Sequence, residues 1–116
     1  MDEQCYDFAA DCRVRMATDL LSHNWDPAVL VALQLGPLRR RELITSIGGI
    51  TDKALTQSLS RLTERGLLER TPTSTSRNVE YALSHLGESF VKGPMKALGN
   101  WAIQYGDELL SASADN

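Results

Sequence analysis

The chain has 116 residues, 42% of them hydrophobic, and a formal net charge of −3. This length supports one hydrophobic core and is too short for two ordinary domains. The longest uncharged run, residues 27–38, is well below the ~20 residues that cross a bilayer, and no basic, apolar leader opens the chain. We therefore expect one cytoplasmic domain over residues 1–116 and no membrane span.

Charge is distributed unevenly along the chain. Residues 39–77 contain eight Lys/Arg and four Asp/Glu, a net charge of +4, so the remaining residues carry −7. A basic region within an otherwise acidic protein is typical of proteins that bind duplex DNA.

The first predicted helix covers residues 4–22 and is amphipathic. Its apolar face requires a partner surface. The side chains of that face are Cys5, Phe8, Ala9, Cys12, Met16 and Leu20. Cys5 and Cys12 lie about 10.5 Å apart along the helix, too far for an intrahelical disulfide. The same spacing separates them and His23 too widely for one zinc ion, so we expect no metal site and no cofactor.

Two short helices are predicted next. Asp26 is expected to cap the first, with Pro27 at its first position, and residues 36–37, Gly-Pro, stop it. The second runs from about residue 39 to residue 47. The glycine pair at residues 48–49 permits the sharp turn that follows.

A fourth helix begins at Thr51, a suitable N-cap that is also expected to contact DNA, and ends at Gly66. Leu55, Leu59 and Leu62 fall at helical spacing and form its core face. The opposite face carries long donors and small hydroxyls: Lys53, Thr56, Gln57 and Ser60, with Arg61 at its edge. This composition suits a helix in the major groove of DNA, although an isolated helix of this kind is more often simply solvated.

Residues 67–71 and 78–83 are short strand candidates joined by a polar loop without acids. Hydroxyl groups and one arginine in such a loop suit contacts to phosphates and the minor groove. The loop residues with this role are Thr73, Ser74, Ser76 and Arg77.

The last predicted helix covers residues 84–110, with Ser84 as its N-cap and a kink at residues 93–94, Gly-Pro. Residues 111–116 are expected to fray. The apolar stripe of this helix consists of Leu86, Phe90, Leu98, Trp101, Tyr105 and Leu109.

Four motifs in this order resemble the HxlR-type winged-helix regulators of bacteria, over about residues 12–105. They are Cys12 thirteen positions before Trp25; GPLRRREL from Gly36; GIT-x4-LTQSLSRLTERGLLER; and VEYALSHLG. The chain departs from the family pattern at Arg40, where phenylalanine is usual, and in the interval from Gly87 to Trp101, which is one residue longer.

The resemblance implies a mainly α fold with a small β-hairpin wing: a winged helix-turn-helix core at residues 26–83 between N- and C-terminal dimerisation helices. It implies homodimers that bind roughly palindromic operators, with Lys53, Gln57 and Arg61 in the recognition helix and Arg77 at the end of the wing. The basic residues that open the third helix would contact flanking phosphates; these are Arg39, Arg40 and Arg41. The expected dimer-interface residues are Cys5, Phe8, Cys12, Met16, Leu20, Leu98, Trp101 and Tyr105.

Several alternatives remain open from the sequence. Cys12 is at the position where some family members sense oxidants, but a cysteine on an apolar stripe is more often a small buried hydrophobe. Trp25 and Trp101 are core or dimer residues, or they line a pocket for a small-molecule effector. The scaffold could also bind proteins rather than DNA. Neither histidine has a credible nucleophile and acid near it in sequence, and no glycine motif for binding phosphate is present, so we expect no enzyme.

Overall fold

The computed structural model describes residues 12–72 and 79–114, which form a mainly helical structure with a small antiparallel sheet. The elements in chain order are α1 (Cys12–Asp19), α2 (Asp26–Ala32), β1 (Leu38–Arg39), α3 (Arg40–Ile47), α4 (Asp52–Glu64), β2 (Leu68–Pro72), β3 (Val79–Leu83), α5 (His85–Phe90), a π-helical turn (Val91–Met95) and α6 (Lys96–Ala114). Among the described helices, none is long and apolar enough to cross a membrane.

The core lies where α2, α3, α4 and the sheet meet. Buried aliphatic side chains from these elements pack into one cluster: Val29, Leu30, Leu33, Leu43, Ile50, Leu55, Leu59, Leu62, Leu67, Leu68 and Val91. The leucine face predicted for α4 is confirmed, because all three of its leucines belong to this cluster. Burial of that face directs the opposite face of α4 outward.

The predicted ends of α4 are confirmed. Thr51 caps the helix, since its hydroxyl accepts a 3.0 Å hydrogen bond from the Ala54 amide. At the other end the Leu67 amide donates to the Leu62 carbonyl and the Gly66 amide to the Thr63 carbonyl, the paired bonds of a Schellman motif. Gly66 has φ +80°, a conformation that favours glycine.

The sheet has three strands rather than the two predicted, in the order β1-β3-β2. The missed strand, β1, contributes only Leu38 and Arg39, which pair with Tyr81 and Glu80 of β3. Two residues show no alternation of polar and apolar side chains, so the sequence carried no signal for this strand. The pairing places the first turn of α3 beside the wing.

The helix predicted over residues 84–110 is confirmed in its N-cap and in its interruption at residues 93–94, but it ends later than predicted. Ser84 does cap α5, since its hydroxyl accepts from the Gly87 amide at 3.0 Å. Around Pro94, which has no amide proton, the chain adopts a π-helical turn, and α6 then continues to Ala114. Residues 111–114 are therefore helical and not frayed.

The first helix also differs from its prediction at residues 4–22. Its described part ends at Asp19, after which the Leu20 and Leu21 amides donate to carbonyls three residues earlier, in tight turns. Residues 4–11, including Cys5 and Phe8, lie outside the described residues. In the part of the chain that the structure describes, α1 contributes no buried side chain.

Candidate nucleic-acid interface

The exposed face of α4 presents the polar side chains expected of a recognition helix. Lys53, Thr56, Gln57 and Ser60 are all exposed, on the side opposite the buried leucines. They supply a cation, an amide and two hydroxyls within two turns. Such groups can donate to and accept from base edges in the major groove.

Arg39 and Arg41 are exposed at the start of α3, and each side chain can reach solvent or a phosphate. The Arg39 amide donates to the Glu42 carboxylate at 2.8 Å, so Glu42 closes the N-terminus of α3. A capping carboxylate neutralises part of the positive end of that helix. The arginine side chains remain the positive groups of this edge.

Arg40 is held by α4. Its Nη2 donates to the Asp52 carbonyl oxygen at 2.8 Å and to the Asp52 carboxylate at 2.9 Å, and also to the Thr56 hydroxyl. Arg40 thus uses an ion pair to join α3 to the first turn of α4. The charge predicted beside the groove is present but has a carboxylate partner.

Arg61 turns from the edge of α4 toward the interior. Its Nε donates to Asp26 Oδ2 at 2.8 Å and its Nη2 to Asp26 Oδ1 at 2.7 Å. Asp26 is fully buried, whereas 25% of the Arg61 side chain is exposed. The Ser58 hydroxyl, also fully buried, donates to Asp26 Oδ1 at 2.6 Å.

These contacts correct the prediction that Asp26 caps α2. The N-cap is Trp25, and the Asp26 carboxylate makes its bonds to α4 instead. Burial alone raises the pKa of Asp26, but hydrogen bonds from Arg61 and Ser58 and the Arg61 charge outweigh it, so the pKa lies below the usual 3.8. The bond to Asp26 raises the pKa of Arg61 further.

Sequence reasoning missed Ser58, although a signal was present. Ser58 follows Leu55 by three residues and precedes Leu62 by four, so helical spacing puts its hydroxyl on the core face of α4. A hydroxyl on a core face requires a buried partner. Asp26, one residue before the apolar run of α2, was the available acceptor.

The wing joins β2 to β3, which pair antiparallel with Arg70 opposite Tyr81. Its tip, residues 73–78, lies outside the described residues, and the predicted contacts Thr73, Ser74, Ser76 and Arg77 lie there. The described base of the wing begins beside α4, since Leu68 belongs to the core.

The predicted dimer residues that the structure describes are mainly exposed. Met16 of α1 and three residues of α6 leave large apolar surface uncovered, whereas Leu20 packs against the core. The three are Leu98, Trp101 and Tyr105. Trp101 and Tyr105 are in contact, with ring centroids 5.5 Å apart.

Two predictions about single residues change. Cys12 is exposed in the single chain, so the buried position predicted for it would require a partner surface. Trp25 packs against the core, but Trp101 is 49% exposed and is no core residue of the single chain. An apolar groove of about 540 Å³ lies between α1 and α5, with Met16, Leu67 and Phe90 in its wall, and neither tryptophan is among its described lining residues.

Asp19 and Arg65 form a second link to α4, at its C-terminal end. Arg65 Nη2 donates to the Asp19 carboxylate at 2.7 Å, and both side chains are partly exposed.

Among the described residues, no group of three or more His, Cys, Asp or Glu side chains could hold a metal ion.

Comparison with known proteins identifies the family to which this architecture belongs. The family model for the HxlR-like helix-turn-helix matches residues 20–109. The HTH-type transcriptional regulator YtfH of Escherichia coli is 37% identical over 95 residues, which are 81% of this chain and 75% of YtfH.

Solved structures agree with that assignment. The transcriptional regulator YtfH of Salmonella typhimurium matches with a TM-score of 0.73 and 32% identity, covering 92% of this chain and 96% of that one. The reduced form of the regulator YodB of Bacillus subtilis has a TM-score of 0.73 and 25% identity, covering 82% of this chain and 93% of YodB. The structures of diamide-treated YodB and of quinone-bound YodB also match this chain. The chain belongs to the HxlR-like helix-turn-helix family and is a winged-helix, DNA-binding transcriptional regulator.

Proposed function

We propose that this regulator acts as a homodimer on a roughly palindromic operator in the cytoplasm, with α4 in the major groove and without catalysis. The observation that carries the proposal is the exposed face of α4, where Lys53, Thr56, Gln57 and Ser60 surround no large apolar group. A helix buried by leucines on one side and polar on the other can enter a groove without losing its place in the core.

The proposed contacts outside α4 either position this helix or strengthen binding to DNA. Arg39 and Arg41 would bind phosphates beside the groove, because their side chains are exposed at the start of α3. Arg40 would help to position α4, because it donates hydrogen bonds to Asp52 in the first turn of that helix. Phosphate and minor-groove contacts of the wing are assigned from the sequence to Thr73, Ser74, Ser76 and Arg77.

The dimer is proposed to form through α1 and α6. Leu98, Trp101, Tyr105 and Leu109 follow one another at helical spacing along α6, and all are exposed. Monomeric proteins rarely leave so continuous an apolar stripe in water. A symmetric pair of recognition helices would explain a palindromic operator.

The test is selection of bound duplexes from a random DNA pool. The wild type should enrich a palindrome whose half-sites lie about one helical turn, or a multiple of it, apart. Its affinity should fall steeply with salt, because binding to phosphates releases counterions. A Lys53→Ala/Gln57→Ala variant is the control for α4. If the wild type enriches no sequence and its binding to DNA does not depend on salt, the proposal fails. The observations would then favour a module that binds proteins rather than DNA.

A second candidate input is thiol chemistry at Cys12. Two observations favour it: Cys12 is exposed, and the neighbour YodB has been solved in diamide-treated and quinone-bound forms. An exposed thiol is accessible to an oxidant or an electrophile.

The experiment compares operator affinity of the wild type, Cys12→Ser and Cys5→Ser, with and without stoichiometric diamide. Loss of binding in the wild type and Cys5→Ser but not in Cys12→Ser, reversed by reductant, would establish the switch at Cys12. Equal binding by all three proteins after oxidation would rule it out.

A further inference from the structure

Three side chains join α2 to α4 through one carboxylate. Asp26 of α2 accepts two hydrogen bonds from Arg61 and one from Ser58, at 2.6–2.8 Å. We call Asp26, Ser58 and Arg61 the Asp26 clamp. The two bonds from Arg61 are bidentate, so they fix direction as well as distance.

Stability is a weak explanation for this clamp. Removing a carboxylate from water is costly, and well-packed apolar residues in place of a buried ion pair are often as stable or more so. The packing of Val29 and Leu30 near Leu55 and Leu59 already supplies apolar burial between the two helices. Such packing is not directional, and it tolerates small rotations that a bidentate hydrogen bond resists.

The clamp lies directly behind the exposed face of α4. Ser58 follows Gln57 and Arg61 follows Ser60, so each anchored residue is next to one exposed on the outer face. Side chains reach about 5–6 Å from the helix axis, so a roll of about 10° displaces an outer donor by about 1 Å. A displacement of that size is enough to lose a hydrogen bond to a base edge.

We propose that Asp26 is a positioning residue for sequence recognition: the clamp sets the roll of α4, and thereby which base edges its outer face can meet. This inference rests on the proposed role of α4 in the major groove. It assigns Arg61 to positioning rather than to direct contact with DNA, and it predicts that breaking the clamp lowers sequence discrimination more than general affinity for DNA.

The test measures discrimination as the dissociation constant for a scrambled duplex divided by the dissociation constant for the duplex that the wild type selects, the two duplexes having the same length and composition. Asp26→Asn keeps the size of the side chain but removes its charge and one acceptor. We expect the ratio to fall about tenfold or more, the value of one good base contact, while affinity for the scrambled duplex stays nearly constant.

A second variant separates positioning from stability. Asp26→Val/Ser58→Ala/Arg61→Met replaces the whole clamp by apolar groups of similar total volume, leaves no buried hydroxyl without a partner, and should fold with wild-type stability or better. It should nevertheless lose discrimination as Asp26→Asn does. If Asp26→Asn does not fold, Ser58→Ala, which removes a single bond from the clamp, takes its place.

Asp19→Asn is the matched control, because it breaks the Asp19–Arg65 pair at the exposed end of the same helix. Its discrimination should equal that of the wild type.

The outcomes are distinct. If the wild type selects no duplex, the proposed function itself fails. If the wild type selects a duplex and the stable triple variant retains the full ratio, the clamp is structural only and the inference is overturned. It is also overturned if Asp26→Asn binds both duplexes more tightly with a steeper salt dependence, because a released Arg61 would then be a phosphate contact.

Discussion

Gly87 packs against the backbone at the point where the chain leaves α4. A Cβ atom at this position would overlap the Leu67 carbonyl oxygen and lie 3.3 Å from Leu83 Cδ2. The carbonyl is itself held, because it accepts a 3.0 Å bond from the Ser84 amide. This crowding gives a physical reason for glycine in the VEYALSHLG motif.

Gly87→Ala should therefore destabilise the fold by about 1–3 kcal/mol or more, the usual cost of overpacking where the neighbours are fixed. Urea unfolding measures the change. Gly99→Ala in α6 is the control, since no heavy atom lies within 4 Å of its added Cβ; a gain of about 0.5–1 kcal/mol is expected there from helix propensity. Equal effects of the two substitutions would contradict the role of the Leu67 carbonyl.

Asp26 also makes stability depend on pH. Its pKa in the folded protein is below the usual 3.8, so its ionised form is favoured more by the folded state than by the unfolded one. Arg61 and His23 are the cations that contribute to this effect. Its stabilising contribution is complete above the unfolded pKa and is lost as the pH falls through the folded pKa.

The free energy of unfolding of the wild type should exceed that of Asp26→Asn by a constant amount between about pH 5 and pH 7, and the difference should shrink below about pH 4. Removing the charged hydrogen-bond acceptor should cost about 1.5–3 kcal/mol at neutral pH. Urea titrations at pH 7, 5 and 3 measure it. A difference that grows on acidification would mean that the carboxyl is protonated in the folded protein.

At the scale of elements, sequence periodicity predicted α4 well because one leucine face and two cap residues all favour the same helix. It predicted the outer face for the same reason, since burying Leu55, Leu59 and Leu62 exposes Lys53 and Gln57. Contacts between distant parts of the chain leave no periodic signal. The pairing of β1 with β3 was therefore missed. Spacing places Ser58 on the core face of α4, but it does not identify Asp26 as the partner.

The recognition role of α4 gives a prediction that separates reading bases from binding phosphates. Gln57→Ala should relax the base preference at one position in each half-site, because the glutamine amide can both donate a hydrogen bond to one base edge and accept one from it. Binding to the selected sequence should weaken by about 1–3 kcal/mol. Binding to single-position operator variants measures it. Gln34→Ala truncates another exposed glutamine, outside α4, as the control. A uniform loss over all sequences would make Gln57 a backbone contact.

At the scale of the whole molecule, the chain is more extended than a compact domain. The radius of gyration is 16.6 Å, compared with about 13 Å expected for a compact chain of this length. The longest described helix is α6, with 19 residues. In the described residues this helix buries no side chain, and under the proposed dimer its apolar stripe would become buried against a second copy of the chain.

Trp101 lies at the centre of that stripe and provides the test of the dimer. Trp101→Ala should weaken association several hundred-fold, about 4 kcal/mol, since a hot-spot aromatic at an interface contributes about 2 kcal/mol or more and the symmetric dimer loses two. The melting temperature should become less dependent on protein concentration. Sedimentation equilibrium across a concentration series measures both the wild-type dimer and its loss.

Ile103→Ala is the matched control for this measurement. Ile103 is 86% exposed on the same helix, but helical spacing places it about 160° from Trp101, on the other side of α6. Association should therefore survive the loss of Ile103. If Ile103→Ala dissociates the protein and Trp101→Ala does not, the dimer uses the other face of α6, and the two recognition helices would be held at a different spacing on the operator.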